Sequence, residues 1–235
     1  MKNIQDIYHR AAHPIKVLQF GEGNFLRAFV DYAIDRANEE QGFDAGVAVV
    51  MPRAKKVNAR FVEQDNLYTV CLRGQRAGKP YKENRVVTCL ERVLAAHEDE
   101  KAYMQLADLD TLEFVISNTT EAGIVFREED RFEDAPPQSF PAKLTKFLFA
   151  RYQHFDGAAD KGLIMLPVEL IDHNGAALKA CVRNYAELGS WLPDSCPGWI
   201  RPAHLRIPWS IASWRDIRER KPLRTKKNWD IMMRS

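Results

Sequence analysis

The chain has 235 residues, enough for one large domain or for one domain and part of a second. Apolar residues make up 46% of the chain, a share typical of a globular core. No apolar run reaches the roughly 18 residues that a membrane-spanning helix needs, and the polar first ten residues lack the apolar stretch of a secretory signal. These features exclude a membrane partner and predict a cytoplasmic protein.

The net charge of +2 hides an asymmetry along the chain. Residues 195–235 carry ten Lys and Arg against three Asp and Glu, whereas residues 1–194 carry 24 against 29. The four cysteines form no C-x-x-C pair, and no Cys/His cluster has zinc-ligand spacing. We therefore expect reduced cysteines and no metal site.

Short apolar runs alternate with segments of helical periodicity. Strands are predicted at residues 15–20, 46–51, 67–73, 85–94, 112–117 and 161–170. Helices are predicted at residues 24–40, 100–107, 141–155 and 176–192, and a hairpin loop at 74–84. Strands that alternate with helices indicate an α/β fold, here a Rossmann-like, mainly parallel sheet flanked by helices.

A glycine turn lies between the first predicted strand and the first predicted helix. Gly21 and Gly23 allow a tight turn and a close approach of the backbone to a pyrophosphate, which the N-terminus of the following helix would attract. Leu26 occupies the position of the usual third glycine, and Arg27 could add a charge-assisted contact to phosphate. A G-x-G pattern alone favours an ordinary tight turn, but its position after a strand and before a long helix favours a dinucleotide site.

The end of the second predicted strand bears on the type of cofactor. An acidic residue there would bind the 2′-hydroxyl of NAD, but the strand ends in Met51, Pro52 and Arg53. Arg53 fits either a 2′-phosphate or a solvated loop. Spacing alone thus leaves NAD and NADP open.

Two polar clusters follow predicted strands at the edge where open α/β sheets bind ligands. The first could contact the ribose or the nicotinamide, or could cap a helix; it comprises Asn118, Thr119, Thr120 and Glu121. The second could contact a polyhydroxylated acid, or could be a polar turn that starts the next helix; it comprises Glu169, Asp172, His173 and Asn174.

Several blocks in order resemble the mannitol dehydrogenase family of polyol-specific long-chain dehydrogenases, and within it the tagaturonate reductase (altronate oxidoreductase) branch. They are VLQFGEGNFLRAFVD, DNLYT, ISNTTEAGI, FEDAPPQSFPAKLTKFLFARYQHFDGAADKG and PVELIDHNG, and the resemblance spans about residues 15–194. It implies a cytosolic enzyme that uses NAD(H) on a sugar-acid substrate. The family's NAD-binding run falls on Val17, Leu18, Gln19, Phe20, Gly21, Glu22, Gly23, Asn24, Phe25, Leu26, Arg27 and Ala28.

For this branch the implied reaction is D-altronate with NAD to D-tagaturonate and NADH, in hexuronate catabolism; fructuronate (mannonate) reductase is the alternative within the family. The family's base, a Lys with a downstream N-x-x-H, lies in a C-terminal domain, and this sequence contains no such motif. Leu170 stands where other branches carry Asn. We therefore expect residues 1–194 to be an NAD-binding domain without turnover, with no catalytic residue of its own.

Residues 195–235 depart from the family pattern. Four of the five tryptophans lie there among arginines, without clean periodicity. When each codon's last base is joined to the next codon's first two, the Lys226–Asp230 region allows E-E-L-G, and Met232–Met233 must give Asp. We read this tail as an out-of-frame, disordered translation of the C-terminal domain's start. The alternative is a basic nucleic-acid-binding tail, which the frameshift reading makes unnecessary. The oligomeric state is open.

Overall fold

The computed structural model describes residues 4–8, 10–120 and 122–187. The strands are β1 Ile15–Phe20, β2 Gly46–Met51, β3 Tyr68–Arg76, β4 Lys79–Val87, β5 Leu90–Ala95, β6 Phe114–Ser117 and β7 Ile164–Pro167. The helices are α1 Tyr32–Gln41, α2 Ala59–Glu63, α3 Glu100–Gln105, α4 Phe140–His154 and α5 Asn174–Glu187. A π-helical segment, Leu26–Asp31, runs directly into α1. The predicted tail, residues 195–235, lies outside the described residues.

Five strands form one parallel sheet in the order β5-β2-β1-β6-β7. β1 lies at the centre and pairs with β2 on one side and β6 on the other. Helices connect the parallel strands, as right-handed crossovers require. The predicted α/β, Rossmann-like fold is confirmed.

Strand periodicity divides the core between the two faces of the sheet. Leu18 and Phe20 of β1 pack with apolar residues of α3, α4 and α5. Val17, on the other face, packs with residues of α1, α2 and the β3–β4 hairpin. Buried on both faces, the central strands read as continuous apolar runs. Within the described ranges, no helix is long and apolar enough to cross a membrane.

The prediction of one strand over 85–94 is wrong. The segment is divided at Thr88 and Cys89: β4 pairs antiparallel with β3, and β5 joins β2 in the parallel sheet. The predicted loop 74–84 is also mostly strand. Its turn needs only Ala77 and Gly78, both with positive φ (51° and 76°), the backbone that a two-residue hairpin turn requires.

The remaining boundaries differ by a few residues. β6 and β7 are shorter than predicted, whereas α4 begins at Phe140, one residue before the predicted start. Ser139 caps α4 by accepting a hydrogen bond from the Ala142 N–H, and Pro141 occupies its first turn, where a missing N–H costs nothing. α5 begins at Asn174, two residues before the predicted start.

Candidate functional site

The strand order places a crevice at the carboxyl ends of β1 and β6. From β1 the chain moves to β2 and β5 on one side, and then crosses to β6 and β7 on the other. Such a switch in direction leaves the carboxyl ends of the two central strands open to a ligand. Both sequence-predicted segments after these strands, one from Gly21 and one from Asn118, meet there: Asn118 N–H donates to the Phe20 carbonyl at 3.0 Å.

The two glycines of the turn serve different purposes. Gly21 has a φ of 113°, and a Cβ there would stand 2.7 Å from the Asn118 carbonyl oxygen, so a side chain cannot fit between β1 and β6. Gly23 has open space where its Cβ would be. The Arg27 N–H donates to the Gly23 carbonyl at 3.1 Å, which starts the helix directly after the turn. The open space and the helix N-terminus fit a pyrophosphate.

The position of the missing third glycine is filled by a buried side chain. Leu26 is fully buried, and its Cδ1 would be 3.3 Å from a Cβ on Gly21. The π-helical segment begins at this residue. Its wider turn accompanies a large side chain at the position where the third glycine of the fingerprint lets helix and strand pack closely.

Half of the twelve residues of the predicted NAD-binding run are buried and not available to a ligand. Val17, Leu18 and Phe20 are buried in the two cores, and Gln19 is buried beneath the turn. A ligand can therefore reach β1 only through the backbone at its end. On the helix side, the exposed or half-buried members of the run are Glu22, Gly23, Asn24, Phe25, Arg27 and Ala28.

The guanidinium of Arg27 is turned towards the protein. Its Nη2 donates to Asn24 Oδ1 at 2.6 Å, and the group lies 5.9 Å from the Phe61 ring centre and 5.7 Å from that of Tyr68. A phosphate contact by Arg27, expected from sequence, stays a prediction and requires a change of rotamer or a second donor.

A buried carboxyl group lies directly beneath the turn. Asp31 is fully buried; its Oδ2 accepts from Tyr68 Oη at 2.9 Å and lies 3.5 Å from Gln19 Nε2. Burial raises the pKa of Asp31 to about 7, although the hydrogen bonds from Tyr68 and Gln19 and the charge of Arg27 oppose the shift. This acid therefore titrates near neutral pH.

The segment after β6 is held by a second buried carboxyl group. Glu169 Oε2 accepts from Ser117 Oγ at 3.1 Å, and Oε1 accepts from the backbone N–H and the hydroxyl of Thr119, both at 3.1 Å. Asn118 Nδ2 donates to the Val168 carbonyl at 2.8 Å. Glu169, predicted as a substrate contact, is thus buried and committed to the protein's own donors.

The helix-cap interpretation of Asn118–Thr120 is wrong. No helix follows within the described part of this segment; instead the Gly123 N–H donates to the Thr120 carbonyl in a turn. Gly123 lies so close to Thr119 that a Cβ would be 2.1 Å from the threonine hydroxyl oxygen. Because Gly123 packs directly on Thr119, the chain turns back after β6 and does not continue into a helix. Glu121 lies outside the described residues.

The rest of the second cluster separates into two groups. Asn174 Nδ2 donates to the carbonyls of Pro167 (2.9 Å) and Glu169 (3.2 Å), and its Oδ1 accepts from the Gly175 N–H at α5's start, which confirms the polar-turn interpretation. Asp172 and His173 are exposed, and Leu170 is 83% exposed. These exposed positions are open to an outside molecule, whereas Asn174 is half-buried.

Basic side chains gather beside the crevice at the end of β2. Arg53 Nη2 donates to Thr120 Oγ1 at 3.3 Å, which joins the ends of β2 and β6. Burial lowers the pKa of Lys143 to about 8, with Arg53 contributing, and burial and Lys143 lower that of His97. Arg53, Lys143 and His97 therefore lie close enough for their charges to interact, while Asp130 and Glu100 raise the pKa of Lys143.

Sequence reasoning missed Asp31, Tyr68, Ser117 and Gly123 as members of the site. One signal was present for Asp31: it lies between Val30 and Ile34 on the apolar face of its helix, where a carboxyl group is unusual. The others depend on contacts between distant segments. Among the described residues, no group of His, Cys, Asp and Glu has the arrangement of a metal site.

Comparison with known proteins agrees with this geometry. The family model for the mannitol dehydrogenase Rossmann domain matches residues 15–200. The chain belongs to the mannitol dehydrogenase family. Altronate oxidoreductases of Klebsiella pneumoniae (strain 342) and Bacillus subtilis (strain 168) are 48% and 45% identical to it over 196 and 203 residues. These matches cover 83% and 86% of this chain, but the chain spans only about 40% of the length of these relatives.

Two solved structures share the fold. The Pseudomonas fluorescens mannitol 2-dehydrogenase, in a ternary complex with NAD and D-mannitol, matches with a TM-score of 0.62 at 20% identity, over 76% of this chain and 38% of that one. A D-sorbitol dehydrogenase in substrate-free form matches with a TM-score of 0.57 at 22% identity, over 74% and 38%.

Proposed function

We propose that residues 1–194 bind NAD(H) and form the cofactor half of an oxidoreductase that interconverts D-altronate and D-tagaturonate. The observation that carries the cofactor proposal is the glycine turn at the switch point: a Cβ is excluded at Gly21, and space is open at Gly23 in front of a helix. The relatives' printed name, altronate oxidoreductase, supports the substrate. The bound cofactor supplies hydride acceptance from the carbinol carbon.

The chain's own residues bind and orient. The Gly21–Gly23 backbone would receive the pyrophosphate, and the segment Asn118–Thr120, braced by Glu169, would form the wall beside the ribose and nicotinamide. Proton removal from the alcohol needs a positioned base. We propose that this base belongs to the C-terminal part of the longer relatives, and that the exposed Asp172 faces the sugar acid.

The cofactor proposal is tested by NADH binding to the full chain, followed by fluorescence. Gly23→Val should weaken binding at least about tenfold, because its side chain would occupy the space of the pyrophosphate, whereas the added Cβ meets no protein atom within 4 Å. Gly74→Val is the matched control: this glycine, in β3, also has open space. Equal NADH affinity in the wild type and Gly23→Val would contradict the proposal.

The substrate proposal is tested by a fusion of residues 1–194 to the C-terminal part of the K. pneumoniae relative. We expect NAD-dependent oxidation of D-altronate, and its loss in the same fusion with Gly23→Val. A folded fusion that binds NADH but oxidises D-mannonate in preference would favour the mannonate reductase alternative.

Two further proposals concern the setting of the protein. We propose a cytoplasmic location, supported by the unpaired Cys71, Cys89 and Cys181 and testable by cell fractionation.

We propose, from sequence alone, that residues 195–235 are an out-of-frame translation. Genomic sequence whose shifted frame runs on into a Lys and N-x-x-H would support this, and a shifted frame that stops would refute it.

A further inference from the structure

The carboxyl group beneath the turn lies in a cluster that is short of hydrogen-bond partners. Asp31 Oδ1, Gln19 Oε1 and Arg27 Nε are buried, and none has a partner among the described residues. Buried polar groups that lack a partner destabilise the folded state. By contrast Asp31 Oδ2 is approached by two donors, Tyr68 Oη and Gln19 Nε2.

The proton count of the cluster favours a protonated Asp31. The Tyr68 hydroxyl has a single proton but faces two acceptors, Asp31 Oδ2 at 2.9 Å and the Arg27 carbonyl at 3.0 Å. If Asp31 is ionised, it attracts this proton and the Arg27 carbonyl loses its donor. If Asp31 is protonated on Oδ2, it donates to Tyr68 Oη, and the tyrosine donates to Arg27. One added proton therefore satisfies both contacts.

The same cluster contacts both ends of the glycine turn. Gln19 Nε2 lies 3.2 Å from the Gly21 carbonyl oxygen as well as 3.5 Å from Asp31 Oδ2. The Arg27 carbonyl, the other acceptor of Tyr68, belongs to the residue whose N–H bonds Gly23. The carboxyl group is thus one side chain away from the backbone that would hold the phosphates.

The charged and titratable neighbours of Asp31 come from several elements packed against it. Arg27 lowers its pKa and Asp35, on α1, raises it, whereas burial is the largest effect. Tyr68 of β3 bonds it, and the Cys89 thiol, before β5, donates to its backbone carbonyl at 3.4 Å. The two negative charges of a dinucleotide at the turn would oppose ionisation further.

We propose that Asp31 is a positioning residue that takes up one proton when the glycine turn binds a dinucleotide, so that affinity for NADH falls as the pH rises above neutrality. The inference rests on the proposed function. In the binding step, the Asp31 carboxylate and one solvent proton become the neutral acid in the complex, and nothing is oxidised or reduced. The neutral acid donates to Tyr68 Oη, so the tyrosine proton stays on the Arg27 carbonyl.

The test is NADH affinity of the full chain from pH 5.5 to 8.5 at constant ionic strength, because the phosphates of NADH stay ionised throughout. For the wild type we expect Kd to rise about fivefold to tenfold over this range. Asp31→Asn, which cannot ionise, should change less than about twofold. Tyr68→Phe removes a donor to the carboxylate and should move the rise to higher pH. The exposed-acid control, Glu63→Gln, should keep the wild-type profile.

A second readout needs no variant and therefore does not depend on the folding of Asp31→Asn. Calorimetric titration of the wild type at pH 7.5, in two buffers of different ionisation enthalpy, should report proton uptake with NADH. Wild-type binding without proton uptake, or an identical pH profile in Asp31→Asn, overturns the inference and leaves the proposed function intact. Absence of NADH binding at every pH overturns the proposed function itself.

Discussion

The two buried carboxyl groups at the ligand edge of the sheet differ in how they are paired. Glu169, behind β6 and β7, receives three hydrogen bonds that use both oxygens, from Ser117 Oγ and from the N–H and hydroxyl of Thr119. Asp31, behind β1, has one oxygen without a partner among the described residues and a pKa raised to about 7 by burial. Burial alone therefore does not define the role of a carboxyl group.

The difference follows from the type of donor available. Glu169 accepts from one backbone N–H and two hydroxyl groups, and both of its oxygens have a donor. The two donors that approach Asp31 also face backbone carbonyls: Gln19 Nε2 faces that of Gly21, and Tyr68 Oη faces that of Arg27. We interpret Glu169 as a brace that fixes one wall of the crevice, and Asp31 as a group whose charge depends on conditions.

The largest effect is expected from removing the brace. Glu169→Ala leaves the Thr119 N–H and two hydroxyl groups buried without their acceptor, and should lower the free energy of unfolding by about 3–5 kcal/mol. Urea unfolding followed by circular dichroism measures this loss. The exposed neighbour Asp172→Ala should change stability by less than about 0.5 kcal/mol. Equal effects of the two variants would refute the assignment of Glu169 as a brace.

The next effect concerns the pH dependence of stability without cofactor. Because the pKa of Asp31 is about 7 in the folded protein and about 3.8 otherwise, the folded state binds the extra proton between these values. Stability from this group is present at low pH and is lost as pH rises towards 7. Between pH 5 and pH 8 the wild type should lose roughly 3 kcal/mol relative to Asp31→Asn. Parallel curves for the two proteins would show that Asp31 does not titrate in this range.

The smallest effect is expected for Arg53, and it shows whether this residue distinguishes NADPH from NADH at the ribose. Arg53 stands at the end of β2, where a 2′-phosphate would lie, and its Nη2 is held by Thr120 Oγ1. Arg53→Ala should raise the Kd for NADPH about tenfold, the value of a charge-assisted contact, and that for NADH less than about twofold. An equal change in Kd for both cofactors in a fluorescence titration would show that Arg53 does not contact a 2′-phosphate.

The start of the βαβ unit and the location of the glycine turn could be predicted from the sequence. β1, the helix after it and β2 are contiguous, so the period of their apolar residues and the two glycines are sufficient. The same local reading failed at residues 85–94, where one apolar run serves two sheets. Only the pairing of β4 with β3, and of β5 with β2, decides that the run is divided at Thr88 and Cys89.

Tertiary structure alone decided which polar residues of the crevice are free. In sequence, Glu169 and Asp172 look equivalent, yet one is 3% exposed and bonded to β6 while the other faces solvent. Likewise the pKa of Asp31 is raised to about 7 because tertiary packing buries the carboxyl group, and its donor Tyr68 lies 37 residues later in the chain. The hydrogen-bond partners of these side chains and their access to water depend on distant segments of the chain. Both determine the pKa of a carboxyl group and the contacts it can make, so neither can be predicted from the local sequence.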